Sequence, residues 1–233
     1  MHTTQQKFEE TAIIIKQEEI ADDIYSMWLH TEQIAAHAKA GQFVSVYCKE
    51  GSRLLPRPIS ICEIDKEGGK LRVVYRVTGE KTGTEEFSQM KAGDTIPVIG
   101  PLGNGFPFEK AEGKKVFLMG GGIGVPPILE LAKQMECEKK QIVVGYRDAH
   151  TFLKEEFEQA GELYISTEDG SVGTKGNVMD AIRENALEAD MIYACGPTPM
   201  LRAIKQYAET NGIECYISLE ERMAQQCAQQ TYL

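Results

Sequence analysis

The chain has 233 residues, 42% of them apolar and 26% charged, the balance of an ordinary globular protein with room for one large domain or two small ones. Its 25 basic against 35 acidic residues leave a net charge of −10, which disfavours nonspecific binding to nucleic acid or anionic membranes; a phosphate-bearing ligand must be held by backbone N–H groups and a few placed cations. No run approaches the roughly 18 apolar residues of a membrane span, and "MHTTQQKFEE" lacks the basic and apolar segments of a secretory signal, so a cytoplasmic address is expected.

Up to about residue 108 the sequence predicts short strands separated by turn residues. They are "TAIIIKQEEI", "DIYSMWLH", "GQFVSVYC", "ISICEID", "KLRVVYRV" and "DTIPVIG". The alternation in "FVSVYC" and "LRVVYRV" fits half-buried antiparallel strands, and together the runs predict a small β-barrel. Within it, "LLPRPISICEI" sets Arg57 between two prolines. That holds the arginine extended and presets its guanidinium to fork onto a diphosphate, while Ser60 can offer a hydroxyl to a heteroaromatic ring. A surface arginine in a rigid turn is the plain alternative. The stretch "VYRVTGEKTGTEEF" supplies Tyr75, whose ring can stack on a flat ligand or simply fill the core, then Arg76 and a Gly83-Thr84 turn with free amides.

"GPLGNGFPFEKAEGK" is the natural hinge, and beyond about residue 112 the rhythm becomes strand, glycine turn, helix. "KKVFLMG" leads into "PPILELAKQME", with Ile128, Leu129, Leu131, Ala132 and Met135 on one helical face. Then "KQIVVGYR" precedes "TFLKEEFEQA", "ELYISTED" precedes "NVMDAIRENAL", "ADMIYACG" precedes "TPMLRAIKQYAET", and "IECYISLE" closes the series. Five apolar strands separated by helices predict a mostly parallel, doubly wound sheet, whose ligands bind beyond the carboxyl ends of the strands.

Three loops lie at such ends. "GGGIGVPP" half imitates a Rossmann fingerprint, but Val125 occupies its last glycine position. Its glycines let backbone come close to a ligand, the following helix offers amides to a pyrophosphate, and Pro126 and Pro127 suit a helix's first turn. In "YACGPTPML" Cys195 ends a strand, where it can line a nicotinamide pocket or be a packed thiol. In "STEDGSVGTKG" Glu168 or Asp169 can accept from a ribose diol, which favours NAD over NADP, with Arg147 as the counterweight. The six cysteines form no C-x-x-C or C-x4-C pair. That argues against a local zinc or iron–sulfur knuckle, and in a reducing cytosol against a disulfide framework.

Taken in order, "RPIS", "VYR", "GT", "GPLGNGF", "GGGIGVPP" and "CGPTPML" resemble the ferredoxin reductase superfamily over nearly the whole chain. Within it, the chain is most similar to the electron transfer subunit family of class B dihydroorotate dehydrogenase. The resemblance implies an amino-terminal antiparallel FAD-binding barrel (residues 1–108), a carboxyl-terminal doubly wound NAD-binding α/β domain (109–218) and a tail (219–233). It places Arg57, Pro58, Ile59 and Ser60 against the flavin and its pyrophosphate, with Ser60 near the reactive N5. Val74, Tyr75 and Arg76 would border the flavin, and Gly83 and Thr84 would hold phosphate. Gly120, Gly121, Gly122, Ile123 and Gly124, with Cys195, Gly196 and Pro197, would frame NAD; Ser60 and Cys195 are the residues expected at the reacting rings.

The activity implied is direct hydride passage between nicotinamide and flavin, for which the protein supplies geometry and dryness rather than acid or base. In the family, electrons then travel singly through a [2Fe–2S] cluster to an FMN-bearing catalytic partner that converts dihydroorotate to orotate in pyrimidine biosynthesis. Family members follow a "LEERMAC"-like segment with three more cysteines. This chain reads "LEERMAQQCAQQTYL": Gln225 stands where the first ligand is expected and Cys227 is the only thiol of the tail. A cluster needs four ligands, so the expectation is FAD without an iron–sulfur centre. Two other roles stay open at this point: a free-standing NAD(P)H-dependent flavin or ferredoxin-type reductase, and a nonenzymatic module that takes a nucleotide as regulator.

Overall fold

The alternation of the amino-terminal half becomes a closed barrel in the computed structural model, which describes residues 6–49 and 55–218. Its strands are β1 (Phe8–Ala21), β2 (Ile24–His30), β3 (Phe43–Val46), β4 (Arg57–Asp65), β5 (Lys70–Arg76) and β6 (Thr95–Leu102). They close in the order β1-β2-β5-β4-β3-β6, with every pairing antiparallel. Side chains two apart share a face. On β1, Ala12 and Ile14 are therefore fully buried while Ile13 is 48% and Ile15 40% exposed. Met27, Leu29, Ile61, Leu71, Val73, Ile96 and Val98 complete the interior, each contributing roughly 1.5–3 kcal/mol by leaving water.

Two short helices interrupt the strands, α1 (Glu32–His37) and α2 (Gly83–Ser88). The second stands where the sequence predicted a turn with free amides. Thr82 caps it: its Oγ1 accepts from the Glu85 amide at 3.2 Å, and its carbonyl accepts from the Glu86 amide at 3.3 Å. Phe87 of this helix is fully buried in the barrel core.

The chain divides into two units, Met1–Gly105 and Phe106–Leu233. The second contains β7 (Lys115–Gly121), α3 (Pro126–Gln134), β8 (Lys139–Tyr146), α4 (Lys154–Ala160), β9 (Glu162–Thr167), β10 (Thr174–Lys175), α5 (Val178–Glu184), β11 (Met191–Cys195), α6 (Thr198–Asn211) and β12 (Glu214–Ser218). The sheet runs β10-β9-β8-β7-β11-β12, all parallel. α3 packs on α4 and α5 on α6. The expected apolar face of α3 is present, but Pro126 through Ala132 are all buried, Glu130 included. The two-residue strand β10 carries no period that a sequence reading can detect. No helix among the described residues is long and apolar enough to cross a membrane.

Candidate functional site: two cofactor cradles

In the parallel sheet the order reverses between β7 and β11, because β8 and β9 build outward from β7 on one side while β11 and β12 extend the other. Such a switch point opens a crevice at the carboxyl ends of the two strands. The glycine loop leaves β7 there, and the Cys195–Gly196–Pro197 turn leaves β11. Gly120 and Cys195 sit opposite each other in register.

The glycines divide into two kinds. A Cβ on Gly124 would lie 2.5 Å from the Cys195 carbonyl oxygen and 2.6 Å from the Gly196 Cα. A Cβ on Gly120 would meet the Val125 Cα at 2.9 Å, and one on Gly121 would meet the Met200 Sδ at 2.4 Å. Gly124 and Gly121 let the two loops close on each other, and Gly120 lets its own loop fold back on Val125. Gly122 differs, with φ +55° and nothing within 4 Å of where its Cβ would stand: it supplies a left-handed turn and leaves open space. Of the glycines expected to admit a ligand, only Gly122 faces that space. Ile123 is half-buried beside it, and Pro126 and Pro127 occupy the first turn of α3 as expected.

Beside the Cys195–Pro197 turn, a groove of about 730 Å³ runs between α5 and α6, lined by Glu168, Asn177, Arg183, Pro197, Met200 and Tyr207 among others, a size suited to a small-molecule ligand. Asn177 caps α5: its Oδ1 accepts from the Met179 amide at 2.9 Å, while the Asp180 carboxylate accepts from the Asn177 amide at 2.8 Å. That amide, then Arg183, holds the Asp180 carboxyl below its usual value. The sequence left Glu168 and Asp169 as equal candidates for a ribose diol. The structure separates them. Asp169 accepts from the Ser171 hydroxyl at 2.7 Å and amide at 2.9 Å, which lowers its pKa, whereas Glu168 lines the groove.

Cys195 is fully buried. Its thiol is packed at the end of β11, at the switch point where the resemblance expects the nicotinamide.

In the barrel, Arg57 opens β4 in extended conformation, and its Nη1 donates to the Leu55 carbonyl at 2.8 Å. Its side chain lies over α2: a Cβ on Gly83 would be 2.9 Å from Arg57 Nε, 3.1 Å from Arg57 Cγ and 2.7 Å from Cys48 Sγ. The Lys49 amide donates to Glu86 at 2.6 Å, tying the turn after β3 to the same helix. Arg57, Gly83 and Thr84 are thus brought together from segments 26 residues apart. The amides of Gly83 and Thr84, at the first two helical positions, have no acceptor within the helix. Cys48 joins them without any signal in the sequence.

The other barrel residues are placed differently. Pro58 is exposed and Ser60 half-buried, opposite Ser45 and Phe43. Ile59 points into the barrel interior. Arg76 is exposed at the end of β5, and Val74 is buried outside the interior cluster. Tyr75 is 2% exposed. Its ring stacks on Tyr25 at 5.8 Å and meets the edge of Phe87 at 6.0 Å, and burial raises its phenol pKa. So enclosed, the ring packs in the barrel interior. The reason is periodicity: Leu71, Val73 and Tyr75 share one face of β5.

Among the described residues no group of three His, Cys, Asp or Glu side chains comes together to hold a metal ion. Gln225 and Cys227 lie outside the described residues.

The matches to known proteins follow both units. An oxidoreductase FAD-binding domain family matches residues 11–106, and an oxidoreductase NAD-binding domain family matches residues 118–206. A protein of Geobacillus sp. (strain WCH70) named dihydroorotate dehydrogenase B (NAD(+)), electron transfer subunit is 43% identical over 92% of this chain and 84% of its own. A protein of the same name from Caldanaerobacter subterraneus subsp. tengcongensis is 41% identical over 91% of this chain and 82% of its own. Among solved structures, that of an NADH-dependent reduced ferredoxin-NADP oxidoreductase, described in connection with flavin-based electron bifurcation, superposes with TM-score 0.81 at 31% identity. It covers 96% of this chain and 79% of its own. A ferredoxin NADP+ reductase of Neisseria gonorrhoeae shares the fold, with TM-score 0.74 at 17% identity over 93% of this chain and 94% of its own.

Proposed function

Because this chain belongs to the family of electron transfer subunits of NAD(+)-dependent dihydroorotate dehydrogenase B, we propose that it moves electrons between FAD on its barrel and NAD(H) on its parallel sheet for a dihydroorotate-oxidising catalytic subunit, within pyrimidine biosynthesis. The observation that carries the reading is the pair of loops at the switch point, Gly120–Gly124 and Cys195–Pro197, packed backbone to backbone beside a groove that holds Glu168. When bound, the two cofactors supply the hydride chemistry.

The residues present fit those groups. Arg57 offers the FAD diphosphate a guanidinium whose stem is fixed by a β-strand and by Gly83, so little rotamer freedom is left to lose on binding. The Gly83 and Thr84 amides add uncharged donors, and Ser60 presents a hydroxyl to the flavin ring. On the sheet, the open side of Gly122 admits the NAD pyrophosphate to backbone amides, with no lysine or arginine needed at that loop. Glu168 accepts from the adenosine ribose diol and opposes a 2′-phosphate, the sign expected for NAD rather than NADP. The protein therefore binds, orients and keeps water out, while moving no proton itself. A cytoplasmic address belongs to the same reading.

The test is complex formation. Mixing the purified chain, loaded with FAD, with the FMN-containing catalytic subunit of a close relative should yield a stable complex on size-exclusion chromatography whose FAD is reduced by NADH. A free-standing reductase would reduce small acceptors with NADH while forming no such complex.

A further inference from the structure

The Tyr75 hydroxyl and Gln17 remain unexplained by cofactor contact. α2 has six residues, too few to hold a helix by backbone bonding alone, and its last carbonyls are closed by the Gln89 and Met90 amides at 3.3 and 3.0 Å, with acceptor capacity to spare. Gln17, on β1, reaches across to them. Its Nε2 lies 2.9 Å from the Phe87 carbonyl, 3.2 Å from that of Ser88 and 2.8 Å from that of Met90, while its Oε1 accepts from the Tyr75 hydroxyl at 3.0 Å. The amide has one consistent orientation: three carbonyls can only accept, so nitrogen faces them, and the tyrosine donates to the oxygen. The Phe87 ring beside Tyr75 fixes the same end of the helix by packing. The other end carries Gly83, the backbone against which the Arg57 side chain lies.

We propose that Gln17 and Tyr75 are positioning residues for FAD, setting the place of α2 and through Gly83 the place of the Arg57 guanidinium. The proposal rests on the reading that Arg57 holds the FAD diphosphate. It gives the tyrosine of the "VYR" stretch a role through its hydroxyl, which donates to Gln17.

The experiment uses the full chain stripped of flavin and titrated with FAD and, separately, with riboflavin, which has the ring without the diphosphate. Gln17→Leu should weaken FAD about tenfold and Tyr75→Phe about threefold, the scale of losing partners of partly buried hydrogen bonds, with riboflavin affinity unchanged in both. The phosphorus resonances of bound FAD should shift in the same variants. Adding Gln17→Leu to Arg57→Ala should cost nothing further. Equal loss of FAD and riboflavin affinity, or no loss of either, overturns the proposal. Should Gln17→Leu not fold, Tyr75→Phe decides alone, since it keeps the ring and removes one oxygen. If Arg57→Ala itself leaves FAD affinity intact, the underlying reading fails; if only that variant weakens FAD, the positioning role fails and the reading stands.

Discussion

The two cradles are built on opposite principles. The barrel assembles its own from a side chain: Arg57 on β4 reaches over Gly83 on α2, and a polar relay from β1 holds α2 in place. The parallel sheet assembles its own by removing side chains, so that the loops after β7 and β11 close on each other at the point where strand order reverses. On the proposed reading, charge would hold the ligand in one and backbone proximity in the other. The lesson is that a deletion should damage the first without harming the fold, whereas an addition should damage the second and the fold together.

The sharpest break is predicted at Gly124. In Gly124→Ala the new methyl group meets the Cys195 carbonyl, a backbone atom that cannot step aside. The variant should lose about 2–3 kcal/mol of stability and bind NAD much more weakly. Thermal unfolding and calorimetric titration of the same sample check both halves. Unchanged stability would mean that the loops are not packed as described. A smaller and cleaner effect is expected at Arg57, where Arg57→Lys keeps the charge but loses the planar fork. FAD should bind about tenfold more weakly, measured by fluorescence titration, with the unfolding temperature of the flavin-free protein unmoved. A fall in that temperature would make Arg57 a structural residue and erase the contrast.

Much of this architecture is legible in the residues. The barrel strands follow from alternation, and the parallel sheet follows from the repeated strand, glycine turn and helix, because both patterns are local. Even the interior position of Tyr75 is written in the shared face of Leu71, Val73 and Tyr75 on β5. What could not be read depends on partners far along the chain. Gln17 meets carbonyls about 70 residues away, Cys48 meets Gly83, and Met200 fills the space that Gly121 and Gly196 leave. A glycine announces that something lies close, but not what. The same holds for Glu168 and Asp169: neighbouring carboxylates look alike until Ser171 engages one of them.

If one chain holds a flavin and exchanges electrons with a nicotinamide nucleotide, its flavin must respond to NADH. Anaerobic titration of the FAD-loaded protein with NADH, followed in the visible flavin absorption, measures that response. Bleaching of the flavin by a stoichiometric amount of NADH is expected, with a markedly weaker response to NADPH. Protein that takes up no FAD, or bound flavin that stays oxidised under excess NADH, would contradict it.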